Sequence, residues 1–274
     1  DHHEDKTRSL AIGIHMAGIY LGQAFGGFGS TISDAFSWQH TFMFFGCIGM
    51  VYAFLLLMLL KNPVPQQAKE SSIEKVPFTK LLTSFPFWII VIYFAVPSLP
   101  GWAIKNWAPT LIADNLKINM SLAGPLTTIS ISLSSLAGVL IGGRLSDKWF
   151  QRNIKGRIYT GAIGLSLTIP SLLLMGYGDN LFTMLSAAVL FGFGFGMFDS
   201  NNMPILCQFV PPSLRATGYG FLNTAGIFSG AIITGYLGKS TDQGNLGSDF
   251  AMLGIVVIAV IALQLFFLKP KESA

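Results

Sequence analysis

The residues that could do chemistry stand inside an apolar stretch, residues 191–212, which reads FGFGFGMFDSNNMPILCQFVPP. The stretch is long enough to cross a bilayer, yet Asp199, Asn201 and Asn202 bring a carboxylate and two amides into it. Placing a carboxylate at membrane depth costs roughly 2.5–3.5 kcal/mol. A charge with that cost lines a cavity, pairs with a partner or has a function. The stretch therefore predicts a helix that lines a polar cavity, with Asp199 as its central residue.

A second set of candidate ligands lies at residues 102–107, in the sequence WAIKNW. It consists of a cation, an amide and two indole rings: Trp102, Lys105, Asn106 and Trp107. A cation at membrane depth beside aromatic rings favours a docking site for an anionic or ring-bearing ligand. In the alternative interpretation, Lys105 extends toward the outer membrane surface and places its ammonium group in water.

The span that carries this second set also contains several residues that disfavour a straight helix: Pro97, Pro100, Gly101 and Pro109. Because proline lacks a backbone donor and its ring clashes with the preceding turn, we expect an interrupted helix here. At membrane depth, irregular backbone persists only where protein or a water-filled cavity covers it. The prolines therefore predict that the segment around Lys105 is covered by protein or by a water-filled cavity.

The composition indicates the class of protein that positions these residues. Of 274 residues, 51% are hydrophobic and 11% are charged, against about 25% charged in a typical soluble domain. We therefore expect an all-α, polytopic transmembrane helical bundle in contact with the lipid bilayer. The net charge of +4 is assigned to basic cytoplasmic loops rather than to nucleic-acid binding. Both cysteines lie in apolar runs, which predicts no disulfide scaffold.

Eight stretches have the length and apolarity of a membrane span, which needs about 20 residues. They are residues 9–32, 38–60, 85–112, 121–141, 158–175, 181–210, 214–237 and 250–268. If the N-terminal segment is cytoplasmic, all but three of the 17 basic residues fall in cytoplasmic segments. By the positive-inside rule, both ends of the chain are predicted to be cytoplasmic.

A polar connector divides the chain. Residues 62–80 read NPVPQQAKESSIEKVPFTK, in which prolines and mixed charges end regular helix. We expect residues 1–61 to be the last two helices of a first bundle, 62–84 a cytoplasmic connector, and 85–274 a six-helix second bundle.

The first and seventh spans are similar to each other. Arg8 and Arg215 each precede a series of glycines within a span. The similarity predicts a weak parallel repeat, which is typical of transporters built from two related halves. Asn223 lies about ten residues into the seventh span, near mid-membrane at about 1.5 Å of rise per residue. It therefore joins the candidate ligands.

The segment after the fourth span carries the most specific motif, GGRLSDKWFQRNIKGR. Gly143, Arg144, Asp147 and Lys148 match the G-x3-D-[RK] loop motif of the major facilitator superfamily, which this chain resembles. We expect Gly142 and Gly143 to end a helix here. The resemblance covers the whole chain but only helices five to twelve of the family's twelve, so four helices are expected before residue 1. Residues 101–115, GWAIKNWAPTLIADN, are similar to the seventh helix of the anion:cation symporters.

The resemblance implies a secondary transporter that works by alternating access. It implies that Lys105 and Asn106 bind an anionic group, and that Asp199, Asn201 and Asn202 bind polar groups of the substrate. Asp199 would also carry the coupling ion, although a purely structural role for it remains open. The implied substrate is an organic anion such as a sugar acid or carboxylate, moved with a proton or sodium. A neutral sugar, nucleoside or drug is the alternative, and a non-transporting receptor or scaffold is the alternative of another class.

Enzymatic function finds no support in the sequence. No nucleophile, base and orienting residue share one membrane depth, and GFGFG at 192–196 lies mid-span, so no catalytic residue, cofactor or metal is expected. Gln23 stands where the family's antiporter motif has proline, which argues against drug efflux. The resemblance also implies a monomer in a bacterial inner membrane, with a small-molecule substrate and a coupling ion as its partners.

Overall fold

The computed structural model of the chain describes residues 8–59, 77 and 79–270. These residues form eleven α-helices and one 3-10 turn, and they contain no β-strand. The helices are α1 (Arg8–Gly26), α2 (Gly29–Ala35), α3 (Trp38–Leu59), α4 (Thr79–Leu82), α5 (Phe85–Leu116), α6 (Met120–Phe150), α7 (Gly156–Tyr177), α8 (Leu181–Asp199), α9 (Asn202–Phe209), α10 (Arg215–Asp242) and α11 (Leu246–Phe267), and the 3-10 turn spans Pro212–Leu214. Most of the predicted connector, residues 62–84, lies outside the described residues.

Seven helical segments in the described part of the chain are long and apolar enough to cross a membrane. They correspond to the second through eighth predicted spans, which confirms an all-α, polytopic transmembrane bundle. The first predicted span, residues 9–32, is divided into α1 and α2 near Gly27. α1 is not among the seven.

The second bundle is built around α5, α6, α7, α8, α10 and α11, which pack against one another. α1 lies against α6, and so joins the first predicted bundle to the second. α3 packs against α2, and its only buried side chain is Thr41. The buried apolar core therefore lies in the second bundle, with α1 along one side of it.

The predicted interruption of the third span is wrong. α5 continues through Pro97, Pro100 and Pro109 as one helix of 32 residues. Pro97 and Pro100 are buried, and inside a bundle neighbouring helices can satisfy the backbone groups that proline leaves open. Because α5 is continuous, its residues follow the ordinary helical period of 3.6.

The interruption falls instead in the sixth span, where Ser200 and Asn201 separate α8 from α9. Pro204 explains its position, because a proline cannot donate to the carbonyl four residues earlier, which is that of Ser200. The side chains of both linking residues compensate by donating to the Met197 carbonyl, from Ser200 Oγ at 3.1 Å and from Asn201 Nδ2 at 2.8 Å. The break therefore comes directly after Asp199.

Glycines bring the backbones of α6 and α8 into direct contact. A Cβ atom on Gly142 would lie 2.7 Å from the Met197 Cα, and one on Gly196 would lie 3.0 Å from the Val139 nitrogen. Small residues at such crossings let membrane helices pack closely. The end of α8 is thus held tightly against α6.

Candidate functional site

A cavity of about 570 Å³ opens between α1, α5, α8, α9 and α10. Its polar lining consists of Ser98, Lys105, Asp199, Tyr219 and Asn223. Its aromatic lining consists of Phe94, Trp102 and Phe195. The cavity therefore combines one cation, one carboxyl group, several hydrogen-bonding groups and flat apolar surfaces.

Asp199 is the last residue of α8 and meets two neutral donors. Tyr20 on α1 donates its hydroxyl to Asp199 Oδ2 at 2.8 Å, and Asn202 Nδ2 donates to Oδ1 at 3.0 Å. Tyr20 is only 2% exposed, so this bond is shielded from water. The Asp199 carboxyl therefore has hydrogen-bond support from α1 and from α9, and it still faces the cavity.

Lys105 reaches the same cavity from α5. Its ammonium nitrogen lies 5.7 Å from the ring centroid of Trp102 and 5.7 Å from that of Phe195. Trp102 is itself fixed, because its indole nitrogen donates to the Gly226 carbonyl of α10 at 3.1 Å. The alternative in which Lys105 extends to the outer surface is wrong, since its ammonium group lies over rings that line the cavity.

Four of the predicted ligands line the cavity: Trp102, Lys105, Asp199 and Asn223. A fifth, Asn202, does not line it but donates to the Asp199 carboxyl.

The other three predicted ligands do not line the cavity. Asn106 donates to Thr234 Oγ1 at 2.9 Å, the Trp107 ring packs against Gly238, and Asn201 is completely buried. Of Lys105, Asn106 and Trp107, only Lys105 lines this cavity, because α5 is continuous. Consecutive residues on a helix point about 100° apart, whereas residues three apart, such as Trp102 and Lys105, share a face.

Sequence reasoning missed Phe195 and Tyr219, which line the cavity, and Tyr20, which donates to Asp199. Tyr219 stands four residues before Asn223, so their shared helical face could have indicated it. Nothing in the sequence pairs Tyr20 with Asp199, because 179 residues separate them. Their contact depends on how α1 packs across the bundle.

The predicted motif lies elsewhere, at the end of α6. Gly143, Arg144, Asp147 and Lys148 all belong to the last turns of that helix rather than to a loop, so the expected helix end at Gly142 and Gly143 is wrong. Glycine at position 142 serves the close approach to Met197 instead of a helix terminus.

Asp147 is buried at this end of α6 and faces a second buried charge. Its Oδ1 lies 3.8 Å from Arg157 Nη2, and Arg157 is 1% exposed. The guanidinium carbon of Arg157 lies 3.9 Å from the centroid of the Phe150 ring. Arg144 and Lys148 are exposed. The motif therefore anchors an ion pair between the end of α6 and the start of α7.

The family model of the Major Facilitator Superfamily matches residues 1–235, more than half of the chain. The chain therefore belongs to the Major Facilitator Superfamily. The expected family is confirmed, and the chain is an integral, multi-pass membrane protein.

Several curated proteins are similar to the chain at low identity. The cis,cis-muconate transport protein of Acinetobacter baylyi is 23% identical over 62% of the chain and 40% of that protein. The citrate-proton symporter of Klebsiella pneumoniae is 26% identical over 83% of the chain and 52% of that protein. The hexuronate transporter of Bacillus subtilis is 23% identical over 96% of the chain and 66% of that protein. The chain spans about half the length of the curated relatives it matches, and these three are named as transport proteins rather than enzymes.

Proposed function

We propose that the natural protein is a secondary active transporter that moves an organic anion together with a coupling cation by alternating access. The observation that carries the proposal is a cation, Lys105, and a carboxyl group, Asp199, lining one membrane cavity. Two opposite charges at membrane depth provide a separate binding group for each transported ion: Lys105 binds the organic anion and Asp199 binds the coupling cation. A secondary transporter also binds its substrate near the bilayer midplane.

Lys105 suits an anionic group because it is presented between two aromatic faces. The Trp102 and Phe195 rings support the ammonium group without neutralising it. Lys105 interacts electrostatically with Asp199, but the described residues contain no direct ion pair between them. A carboxylate entering the cavity would therefore find a cation available, with flat rings beside it for the carbon skeleton.

Asp199 suits the coupling ion because its hydrogen-bond partners are neutral. Tyr20 and Asn202 each donate one hydrogen bond, which orients both carboxyl oxygens. A carboxyl oxygen can still accept a proton or contact sodium from the cavity side, since an oxygen accepts in more than one direction. Asn223 and Tyr219 also line the cavity and can contact polar groups of the substrate.

The relatives support an organic anion. Muconate, citrate and hexuronate are all carboxylates, and one of the relatives is named as a proton symporter. We further propose the architecture expected from the sequence: residues 1–61 and 85–274 in two bundles, 62–84 as a cytoplasmic connector, and both ends cytoplasmic. A monomer in a bacterial inner membrane completes the proposal.

The test uses the gene product expressed at its natural length and reconstituted in vesicles. Uptake of labelled muconate, citrate and a hexuronate is measured with an inward proton gradient, an inward sodium gradient and no gradient. We expect at least one anion to accumulate with one of the gradients. Lys105→Ala should raise the KM for that anion by about tenfold or more, as loss of a charged contact does.

Lys239→Ala provides the matched control, because Lys239 is an exposed lysine at the end of α10. Its KM should stay at the wild-type value. Uptake of neutral sugars or nucleosides in place of every anion would overturn the anion assignment and favour the neutral-substrate alternative. Absence of any gradient-driven uptake would contradict the transporter proposal itself.

A further inference from the structure

Asn201 is buried among polar groups rather than exposed to the cavity. It is 0% exposed, as are Ser146 on α6 and its neighbour Ser200. Ser146 donates its hydroxyl to Asn201 Oδ1. Asn201 Nδ2 in turn donates to the Met197 carbonyl at 2.8 Å and to Ser200 Oγ at 3.3 Å. Both ends of the amide are therefore occupied by the protein itself.

The bond between Ser146 and Asn201 joins the two sites described above. Asn201 is two residues beyond Asp199, whose carboxyl group lines the cavity. Ser146 directly precedes Asp147, the partner of the buried Arg157. One side-chain hydrogen bond between different helices thus separates the cavity from the ion pair at the end of α6.

The helices on either side of this bond are closely packed. Gly142 and Met197 bring the two helix backbones into contact, and a Cβ on Gly142 would lie 2.7 Å from the Met197 Cα. Ser146 follows Gly142 by four residues, and Asn201 follows Met197 by four residues. The hydrogen bond therefore lies directly beyond the contact of Gly142 with Met197, where α8 has just ended. Closely packed elements transmit displacement rather than absorb it.

The break between α8 and α9 lies at this contact. Ser200 and Asn201 lie between the two helices, and Pro204 removes one of the bonds that would join them. A change at Asp199 can therefore alter the angle between α8 and α9. Because Asn201 is bonded to Ser146, such a change also acts on the end of α6.

We propose that Asn201 and Ser146 are positioning residues that couple the occupancy of the Asp199 site to the Asp147–Arg157 pair. This inference rests on the proposed transport function and assigns Asn201 a role other than substrate binding. The coupling runs through a contiguous set of packed and hydrogen-bonded groups, which is the physical requirement for communication between sites. A small shift at the cavity becomes a larger rearrangement where packed helices have two discrete arrangements.

The test measures the reactivity of a reporter at the end of α6, and it needs no substrate. Gln151→Cys, an exposed position that follows α6 directly, is introduced into the natural-length protein with Cys47→Ser and Cys207→Ser. Its rate of labelling by a membrane-impermeant maleimide is measured in sealed vesicles of both orientations. Asp199→Asn then provides a defined change at the cavity.

We expect Asp199→Asn to change the labelling rate by at least about fivefold with Ser146 present, and by less than about twofold with Ser146→Ala. Ser134→Ala is the matched control, because Ser134 lies on the same helix and donates only to its own helix, to Ser130 O at 2.7 Å and Ile131 O at 2.9 Å. Asn201→Leu removes the same Ser146–Asn201 hydrogen bond by changing the acceptor, and leucine fills the volume of the amide. It replaces Ser146→Ala in the test if the Ser146→Ala protein does not accumulate in the membrane.

An equal response to Asp199→Asn in the Ser146→Ala and Ser134→Ala proteins would overturn the inference. The absence of a response in all backgrounds would overturn it as well. A wrong functional proposal gives a different result, namely no anion uptake by any variant or by the wild type. The labelling measurement still decides the coupling in that case.

Discussion

Asp199 and Asp147 are two carboxyl groups in one bundle, and they have different surroundings. Asp147 is buried at the end of α6 beside the guanidinium of Arg157, 3.8 Å away. Asp199 lies at the cavity, where its bonds come from a phenol and an amide. A carboxylate beside a buried cation has its charge balanced within the protein. A carboxyl group held by neutral donors keeps its capacity to bind an ion from outside.

The largest expected effect concerns the stability of the Asp147 site. Asp147→Asn leaves the buried Arg157 without its carboxylate, and breaking a buried pair in this way costs about 3–5 kcal/mol. Asp199→Asn should cost less, about 1 kcal/mol, because its amide oxygen can still accept from Asn202 while its amide nitrogen can donate to the Tyr20 hydroxyl. Unfolding of the detergent-solubilised protein would measure both.

Asp114→Asn is the control for this pair, since Asp114 is an exposed carboxylate of α5. Its unfolding free energy should match that of the wild type. If Asp147→Asn and Asp199→Asn destabilised the protein equally, the distinction between a structural and a functional carboxyl group would be lost.

A smaller effect is expected for the phenol that holds Asp199. Tyr20→Phe removes a hydrogen bond to a group that carries charge, a contribution of about 1.5 kcal/mol or more, so gradient-driven uptake should fall about tenfold. Initial rates of uptake at saturating substrate measure this change. Tyr52→Phe, at an exposed position of α3, should have no effect. Unchanged uptake by Tyr20→Phe would show that the contact between α1 and α8 is not needed for coupling.

The smallest effects separate residues that face the cavity from residues that lie outside it. Asn106→Ala removes a bond to Thr234 outside the cavity, and its KM should stay within about twofold of wild type. Asn223→Ala removes a cavity amide and should raise the KM by about fivefold. The reverse order would place the substrate on the other face of α5.

The sequence predicted the membrane class and the main charges of the site, because both depend on local patterns. Apolar length identifies the spans, and a carboxylate inside an apolar run stands out without knowledge of the fold. Lys105 and Trp102 are three residues apart on one helix, so their shared face also follows from the sequence.

The remaining features depend on packing. α5 stays helical through three prolines because the bundle covers it, and α6 continues through Gly142 because that glycine meets Met197 of α8. Tyr20 reaches Asp199 only through the fold, since they are far apart in sequence. The break after Asp199 could have been predicted from the sequence, because Pro204 disfavours a continuous helix there.

The central claim is that Asp199 couples the cation while Lys105 binds the anion. The most direct measurement compares two assays on Asp199→Asn vesicles: exchange of labelled for unlabelled anion without a gradient, and accumulation driven by a gradient. A gradient of one pH unit stores about 1.4 kcal/mol, enough for about tenfold accumulation with one proton. A tenfold sodium gradient stores the same free energy.

We predict that Asp199→Asn keeps exchange within about threefold of the wild-type rate and abolishes accumulation by either gradient. Lys105→Ala should weaken exchange itself. Accumulation that survives in Asp199→Asn would contradict the account, and so would a joint loss of exchange and accumulation in a folded Asp199→Asn protein.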